Sequence, residues 1–202
     1  MSTITDRETQ TYSEVLSLPM YAEYSPGQKY AELFASLAKP GSTVLDAGCG
    51  TGQGMIALAA HGFSVTGCDL TDAGLVPAAR GFMSVHTGVS LWRPLPLLHL
   101  DGAWRKHARP YDYVYCTDVL EHIPAQFTML VVQRLLDAAL SGVFLSVCLR
   151  PDVKGVWIGK ELHQSVRRYD EWMDDLRELA DVTDARDYGS DATFMLRHKW
   201  AR

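Results

Sequence analysis

Apolar positions along the chain fall into short runs divided by glycine and proline, and the runs alternate between helical and strand spacing. SPGQKYAELFASLAK, residues 25–39, predicts a helix. Ser25 can cap it, Pro26 suits its first turn, and Leu33, Phe34 and Leu37 recur on one face. Pro40 and Gly41 end it. STVLDAG follows as a short buried strand, and GQGMIALAAHG as a helix stopped by Gly62. FSVTGCD (63–69) reads as a second strand, AGLVPAARG as a short helix broken near Pro77, and SVHTGVSLW (84–92) as a weak third strand. Residues 95–110 are a loop or short helix. YDYVYCTD (111–118) is a fourth strand, PAQFTMLVVQRLLDAAL (124–140) an amphipathic helix, and GVFLSVCL (142–149) a fifth strand.

Beyond residue 150 the pattern changes. DVKGVWIGKELHQSV is a glycine-punctuated loop, whose Trp157 and Ile158, with Trp172 and Met173, either shape a substrate pocket or close the core. YDEWMDDLRELA (169–180) is a helix, and VTDARDYG and DATFMLRHKW form two strands joined by a Gly-Ser turn. The alternation predicts an α/β fold: a doubly wound, seven-stranded sheet, mostly parallel with an antiparallel last strand. No repeat or linker divides residues 1–202, so one domain is expected. Composition agrees with a globular protein, at 47% hydrophobic and 21% charged residues with a net charge of −5. The polar N-terminal stretch lacks a signal-peptide core, and no apolar run approaches the roughly 18 residues that span a bilayer. A cytoplasmic protein without membrane partners is expected. Cys49, Cys68, Cys116 and Cys148 form no C-x-x-C pair and read as reduced thiols. The acidic balance, relieved only by RKHAR (105–109) and RHKWAR (197–202), argues against a grip on long duplex nucleic acid.

The most informative stretch is VLDAGCGTGQG, residues 44–54. Gly48, Gly50 and Gly52 permit tight turns and close approach of a ligand to the backbone, and the following helix start offers unpaired N–H groups. Asp69 closes the next strand, where dinucleotide folds place an acid for ribose hydroxyls. Asp46, ahead of the first glycine, would repel a pyrophosphate and suits a ligand with a cationic end. That argues against a nicotinamide oxidoreductase.

VLDAGCGTG resembles motif I of class I S-adenosylmethionine (SAM)-dependent methyltransferases, and VTGCDL resembles their second-strand acid. The resemblance runs from about Ser25 to Trp200. Through SPGQKYAELF, LWRPLP, YDYVYCTDVLEHIP and IGKELHQSVRRYDEW it extends to a poorly characterised phage and bacterial branch. It implies a Rossmann-like methyltransferase fold, SAM as cofactor and S-adenosylhomocysteine (SAH) as product. By the same resemblance, Asp46 orients the methionine amino group, and Gly48, Cys49, Gly50 and Gly52 pass beneath the cofactor. Asp69 takes the ribose hydroxyls and Leu70 flanks the adenine. Ser90, Leu91 and Trp92 stand at the adenine edge and face, although Trp92 reads equally well as core. Cys116, Thr117 and Asp118 lie under the methionine part.

CTDVLEHIP places Asp118, Glu121 and His122 at the carboxyl end of a strand, where α/β sheets carry their sites, and the loop after the fifth strand adds His163. In a helical turn Asp118 and Glu121 would share a face. Three readings stand. His122 or His163 is a general base that takes a proton as the methyl moves. Alternatively, Asp118, Glu121, His122 and His163 bind a divalent metal, since D-x-x-E-H…H resembles the E-x-x-E-H…H site of small-RNA 2′-O-methyltransferases. In the third reading Glu121 caps or pairs locally and His122 packs beside the cofactor. Residues 1–39 supply a lid, in which Tyr21, Tyr24 and Tyr30 either line the cofactor or pack on the sheet. The Asp/Asn/Ser-Pro-Pro-Tyr/Phe signature of amino-methyltransferases on DNA bases is missing, as is the Pro-Cys of cytosine-C5 enzymes. The expected acceptor is therefore a small or terminal polar group, on a sugar, nucleotide, glycan or RNA end, methylated at oxygen. A non-catalytic SAM-binding accessory protein is the alternative from another class.

Overall fold

Parallel strands covered on both faces need unbroken apolar runs, and Val44-Leu45 and Val143-Phe144-Leu145 meet that need: all five side chains are fully buried. The computed structural model describes residues 4–18, 25–85, 89–92 and 110–199. The chain divides into two compact units, residues 1–99 and 100–202.

The first unit contains α1 (Ile4–Leu16), α2 (Pro26–Lys29), α3 (Ala31–Leu37), β1 (Thr43–Ala47), α4 (Gln53–Ala60), β2 (Ser64–Cys68), α5 (Pro77–Val85) and β3 (Val89–Trp92). Its strands are parallel, in the order β3-β2-β1. The helix expected over 25–39 is two helices. Ser25 caps the first as expected, accepting from the Gln28 amide, but Tyr30 (φ −102°, ψ 3°) leaves the helical region and divides them. Phe34 anchors α3, fully buried, with its ring centroid 5.2 Å from that of Phe63. Pro77 opens α5 rather than breaking it, because the N–H that proline lacks has no helical partner in a first turn. Gly67 sits mid-strand because α4 presses on β2: a Cβ there would strike the Met55 sulfur. Helix α1 carries almost no apolar stripe and docks by its last turn, where Val15 is buried.

The second unit contains β4 (Tyr111–Thr117), α6 (Ala125–Ala138), β5 (Ala139–Cys148), α7 (Tyr169–Leu179), β6 (Asp181–Asp187) and β7 (Asp191–Arg197), with 3-10 turns at Leu120–His122 and Gly155–Ile158. Strand order is β4-β5-β7-β6. β4 and β5 are parallel, and β7 runs antiparallel to both of its neighbours. The expected class stands: seven strands, mostly parallel, with the last one reversed. Helix α6 passes straight into β5, which therefore starts at Ala139 and not at the expected residue 142. Val131, Val132, Leu135 and Leu136 form its buried stripe. Trp172 and Leu176, four apart on α7, close this core, whereas Trp157 is 52% exposed and takes no part in it. All four cysteines are free and buried. Among the described residues no helix is long and apolar enough to cross a membrane. The loop or helix expected over 95–110 lies outside the described residues.

Phe34→Ala should lower the unfolding free energy by about 3–5 kcal/mol, read from urea titration followed by circular dichroism. A loss under about 1 kcal/mol would mean that α3 is not held by this residue.

Candidate functional site

β1 ends in the sequence Asp46-Ala47, and the chain then reverses through Gly48, Gly50 and Gly52, with φ of 83°, 49° and 76°. Only glycine adopts such angles at no steric cost. The reversal is tied to the end of β2. The Gly48 and Cys49 amides both donate to the Cys68 carbonyl (2.8 and 3.0 Å), and the Gly50 amide donates to Asp69 Oδ2 (2.8 Å). So the structure brings Asp46, Gly48, Cys49, Gly50, Gly52 and Asp69 together as expected. Leu70 follows Asp69 and is half-buried. Leu91 and Trp92 close β3, opposite Gly67 and Cys68 of β2, but their side chains lie outside the described residues.

Helix α1 reaches this loop. Ser13 Oγ bonds Thr71 Oγ1 at 3.0 Å, and a Cβ on Gly74 would lie 2.7 Å from Leu16 Cβ. Of the three tyrosines expected near the cofactor, Tyr30 is buried in the unit's core, while Tyr21 and Tyr24 lie outside the described residues.

The electrostatics of the loop are unusual. Asp46 is 2% exposed and accepts no hydrogen bond from the described residues. Burial, then the Asp69 charge, pushes its pKa up to about 7. Burial also raises Asp69, against the Gly50, Leu70 and Thr71 amides that stabilise its charge. Cys49 is pushed well above the usual thiol range and Cys68 to about 12, in both cases chiefly by burial, so neither is a thiolate at neutral pH. A dry carboxyl without a counter-charge, beside backbone held open by glycines, fits a ligand with a cationic end.

In the second unit β4 ends at the buried Thr117, and Asp118 follows with φ 58°, the one non-glycine in the left-handed region among the described residues. The turn after it is 3-10, starting only at Leu120. Glu121 in that turn is fully buried: Oε1 accepts the Cys148 amide at 2.9 Å, and Oε2 accepts from no N–H or hydroxyl among the described residues, with the Asp118 carboxyl as its polar neighbour. Burial, followed by the neighbouring Asp118 carboxyl, holds Glu121 well above the usual carboxylate range. A local cap, one of the three readings of this residue, is therefore replaced by a bond across 27 positions.

Segment 162–165 clamps the turn. The Gln164 and Ser165 amides donate to the Glu121 carbonyl (2.7 and 3.0 Å), Ser165 Oγ donates to Leu120 O (3.0 Å), and Gln164 Nε2 donates to His122 O (3.1 Å). The two histidines named from the sequence meet here, with ring centroids 4.8 Å apart at 79°. His122 Nδ1 lies 3.0 Å from Leu162 O, and His163 Nδ1 lies 2.9 Å from Arg150 O. A carbonyl only accepts, so in the neutral rings each Nδ1 carries the proton and each Nε2 keeps its lone pair. Burial lowers the His122 pKa; the Asp118 charge opposes this, and His163 adds to it.

The four residues expected to share a metal do not form one donor set. Glu121, His122 and His163 offer ligand atoms within 4.8 Å of one another, and Asp118 instead joins Glu121 and Cys148 in a second such group. Asp118 precedes the 3-10 turn in a left-handed conformation, so the shared helical face expected for it and Glu121 does not exist. Sequence reasoning missed the Cys148 amide and the Asp152 carboxylate, which accepts the Lys154, Gly155 and Leu162 amides next to the His122–His163 pair. The Cys148 bond to Glu121 comes from a backbone amide, which leaves no side-chain signal. The signal for Asp152 was present in RPDVKG, an acid after proline with glycine three residues on.

A family model described as "Methyltransferase domain" matches residues 20–189. The chain is 35% identical over 82 residues to the ubiquinone biosynthesis O-methyltransferase of Nitrosomonas europaea, a match that covers 41% of this chain and 33% of that protein. It thus spans about a third of the length of that curated relative. Two solved structures share its fold. The N-methyltransferase NodS from Bradyrhizobium japonicum WM9, in complex with SAH, superposes with a TM-score of 0.69 at 14% identity, covering 96% of this chain and 100% of that one. Magnesium protoporphyrin IX methyltransferase from Synechocystis PCC 6803, with bound SAH, gives 0.61 at 20% identity, covering 98% and 89%.

Because the folded pKa of Asp46 is raised above its unfolded value, its contribution is most favourable below about pH 4 and is lost as pH rises toward 7. The difference amounts to about 4 kcal/mol. Unfolding free energy of the ligand-free protein should therefore fall between pH 4 and 8, by at least ~2 kcal/mol more than in Asp46→Asn. Parallel curves for the two proteins would show that Asp46 is not the group responsible.

Proposed function

The chain belongs to the methyltransferase-domain family, class I of the SAM-dependent kind, and from that premise we propose that it transfers the methyl group of SAM to a hydroxyl of a small polar acceptor, with His122 as general base. When bound, SAM supplies an electrophilic methyl that needs little beyond alignment with the acceptor. Asp46, buried without a counter-charge, would hold the cofactor's ammonium group, which supports SAM over a phosphate-bearing ligand. Gly48, Gly50 and Gly52 keep the loop backbone bare for the cofactor to pass. Asp69, fixed by the Gly50, Leu70 and Thr71 amides, would take the ribose hydroxyls with its remaining lone pairs.

The observation that carries the catalytic role is the state of His122. Its Nδ1–H donates to Leu162 O, and burial keeps its pKa below the ordinary value. At neutral pH the ring is therefore neutral with its lone pair on Nε2, the form that takes a hydroxyl proton. The Asp118 charge then favours the imidazolium that results. His163, held by its own carbonyl, stands edge-on beside it. The name of the matched relative, an O-methyltransferase, supports oxygen as the receiving atom.

A second reading has its own support. Glu121, His122 and His163 present three ligand atoms within 4.8 Å of one another, and the buried Glu121 Oε2 accepts from no N–H or hydroxyl among the described residues. A divalent ion of the transition series suits that mixed carboxylate–imidazole set and would lower the pKa of an acceptor hydroxyl.

SAH at a hundredfold excess over its Kd should raise stability by about 2.7 kcal/mol in thermal unfolding. His122→Ala should keep that shift yet lower methyl transfer to a hydroxylated acceptor by about 10²–10⁴-fold, measured as SAH release. No shift with SAM or SAH would remove the cofactor reading. Full turnover in both His122→Ala and His163→Ala would remove the base. A further rise with Mn²⁺, with turnover abolished by EDTA, would put the metal reading first.

A further inference from the structure

The chain between β5 and α7 closes on itself. Asp152 Oδ2 accepts the Gly155 and Leu162 amides (2.8 and 3.1 Å), and Oδ1 accepts the Lys154 amide (2.8 Å). Inside the loop, the Lys160 amide bonds Gly155 O and the Gly159 amide bonds Val156 O. Gly155 has no room for a side chain: a Cβ would strike both Lys160 O and the Asp152 carboxylate. Burial opposes ionisation of Asp152, yet the three amides and His163 outweigh it and hold the carboxyl below its usual range. The loop is thus a rigid body built around one carboxylate, although its tip is solvent-facing, with Val156 73% exposed.

The bond from Asp152 to the Leu162 amide is the rung next to the loop's neck. On one side of that rung Leu162, its side chain buried, turns its carbonyl to His122 Nδ1; on the other, Arg150 turns its carbonyl to His163 Nδ1. Asp152 touches neither Nδ1, but the rung it forms lies between the two carbonyls that do. An imidazole without such a carbonyl is free to carry its proton on either nitrogen.

We propose that Asp152 is a positioning residue that fixes the tautomer of both His122 and His163, holding the two Nε2 atoms as lone-pair donors. The tautomer claim rests on geometry alone, while its catalytic meaning rests on the reading of His122 as base. The arrangement matches the second-sphere carbonyls that orient catalytic and metal-binding histidines, supplied here by two backbone groups from one loop.

Ring ¹⁵N–¹H correlation spectra of uniformly ¹⁵N-labelled protein, at a pH where both imidazoles are neutral, provide the test. In the wild type both rings should be Nδ1–H tautomers. In Asp152→Ala at least one ring should show the Nε2–H form, and the Lys154, Gly155 and Leu162 amides should exchange with deuterium at least tenfold faster. Asp152→Asn, which keeps one acceptor oxygen, should lie between the two. Circular dichroism and the SAH thermal shift serve as folding controls, since the glycine loop belongs to residues 1–99. If Asp152→Ala does not fold, Asp152→Asn carries the test. A folded variant with both rings still Nδ1–H and unchanged amide exchange would overturn the proposal. A wild type that ignores SAH would instead overturn the cofactor reading and leave the tautomer result standing.

Discussion

A carboxyl taken out of water without a cation beside it costs several kcal/mol unless it takes up a proton or finds donors. Both units are organised around one. In the first, Asp46 sits at the end of β1 with no donor among the described residues, and a glycine reversal brings Asp69 close enough to raise its pKa further. In the second, Glu121 gives one oxygen to the Cys148 amide, and the Asp118 carboxyl beside it raises its pKa further. Structural economy would place Asn and Gln there. Burial raises both acids above the usual carboxylate range, the property expected of groups at a functional site.

The fold was largely legible because its strands are short apolar runs with clear punctuation. Val44-Leu45 and Val143-Phe144-Leu145 read as buried parallel strands, and Gly62 stops α4 as its position suggests. The failures have local causes. Tyr30 divides one predicted helix in two by backbone angles that no composition encodes. Pro77 reads from the sequence as a break inside its helix, yet it opens that helix, since the same residue that breaks an interior is neutral in a first turn. Helix α1 escaped notice because it carries almost no apolar stripe, and the contacts of Ser13, Val15 and Leu16 cluster in its last turn.

The candidate site was legible in its residue types and less so in its wiring. Asp46, Asp69 and the three glycines announce themselves by spacing, and the meeting of His122 with His163 was anticipated from the two strands that their loops leave. What could not be read was the backbone. The groups that orient Glu121, His122 and His163 are the Cys148 amide and the Leu162 and Arg150 carbonyls, and such groups look alike at every position of a sequence. The same limit explains Asp118: its separation from the His pair follows from a left-handed residue and a 3-10 turn, where helical spacing had suggested a shared face.

That left-handed residue also bears on how this protein could change. Holding a non-glycine at φ 58° costs about 1 kcal/mol, less for aspartate than for a branched side chain. Glycine would relieve that strain while deleting the carboxylate whose charge steadies a protonated His122. Selection for thermal robustness alone would therefore favour Asp118→Gly, and, on the reading of His122 as the base, selection for turnover would oppose it. A library screened only by heat would drift toward hardier, slower proteins, and position 118 is where the two pressures part.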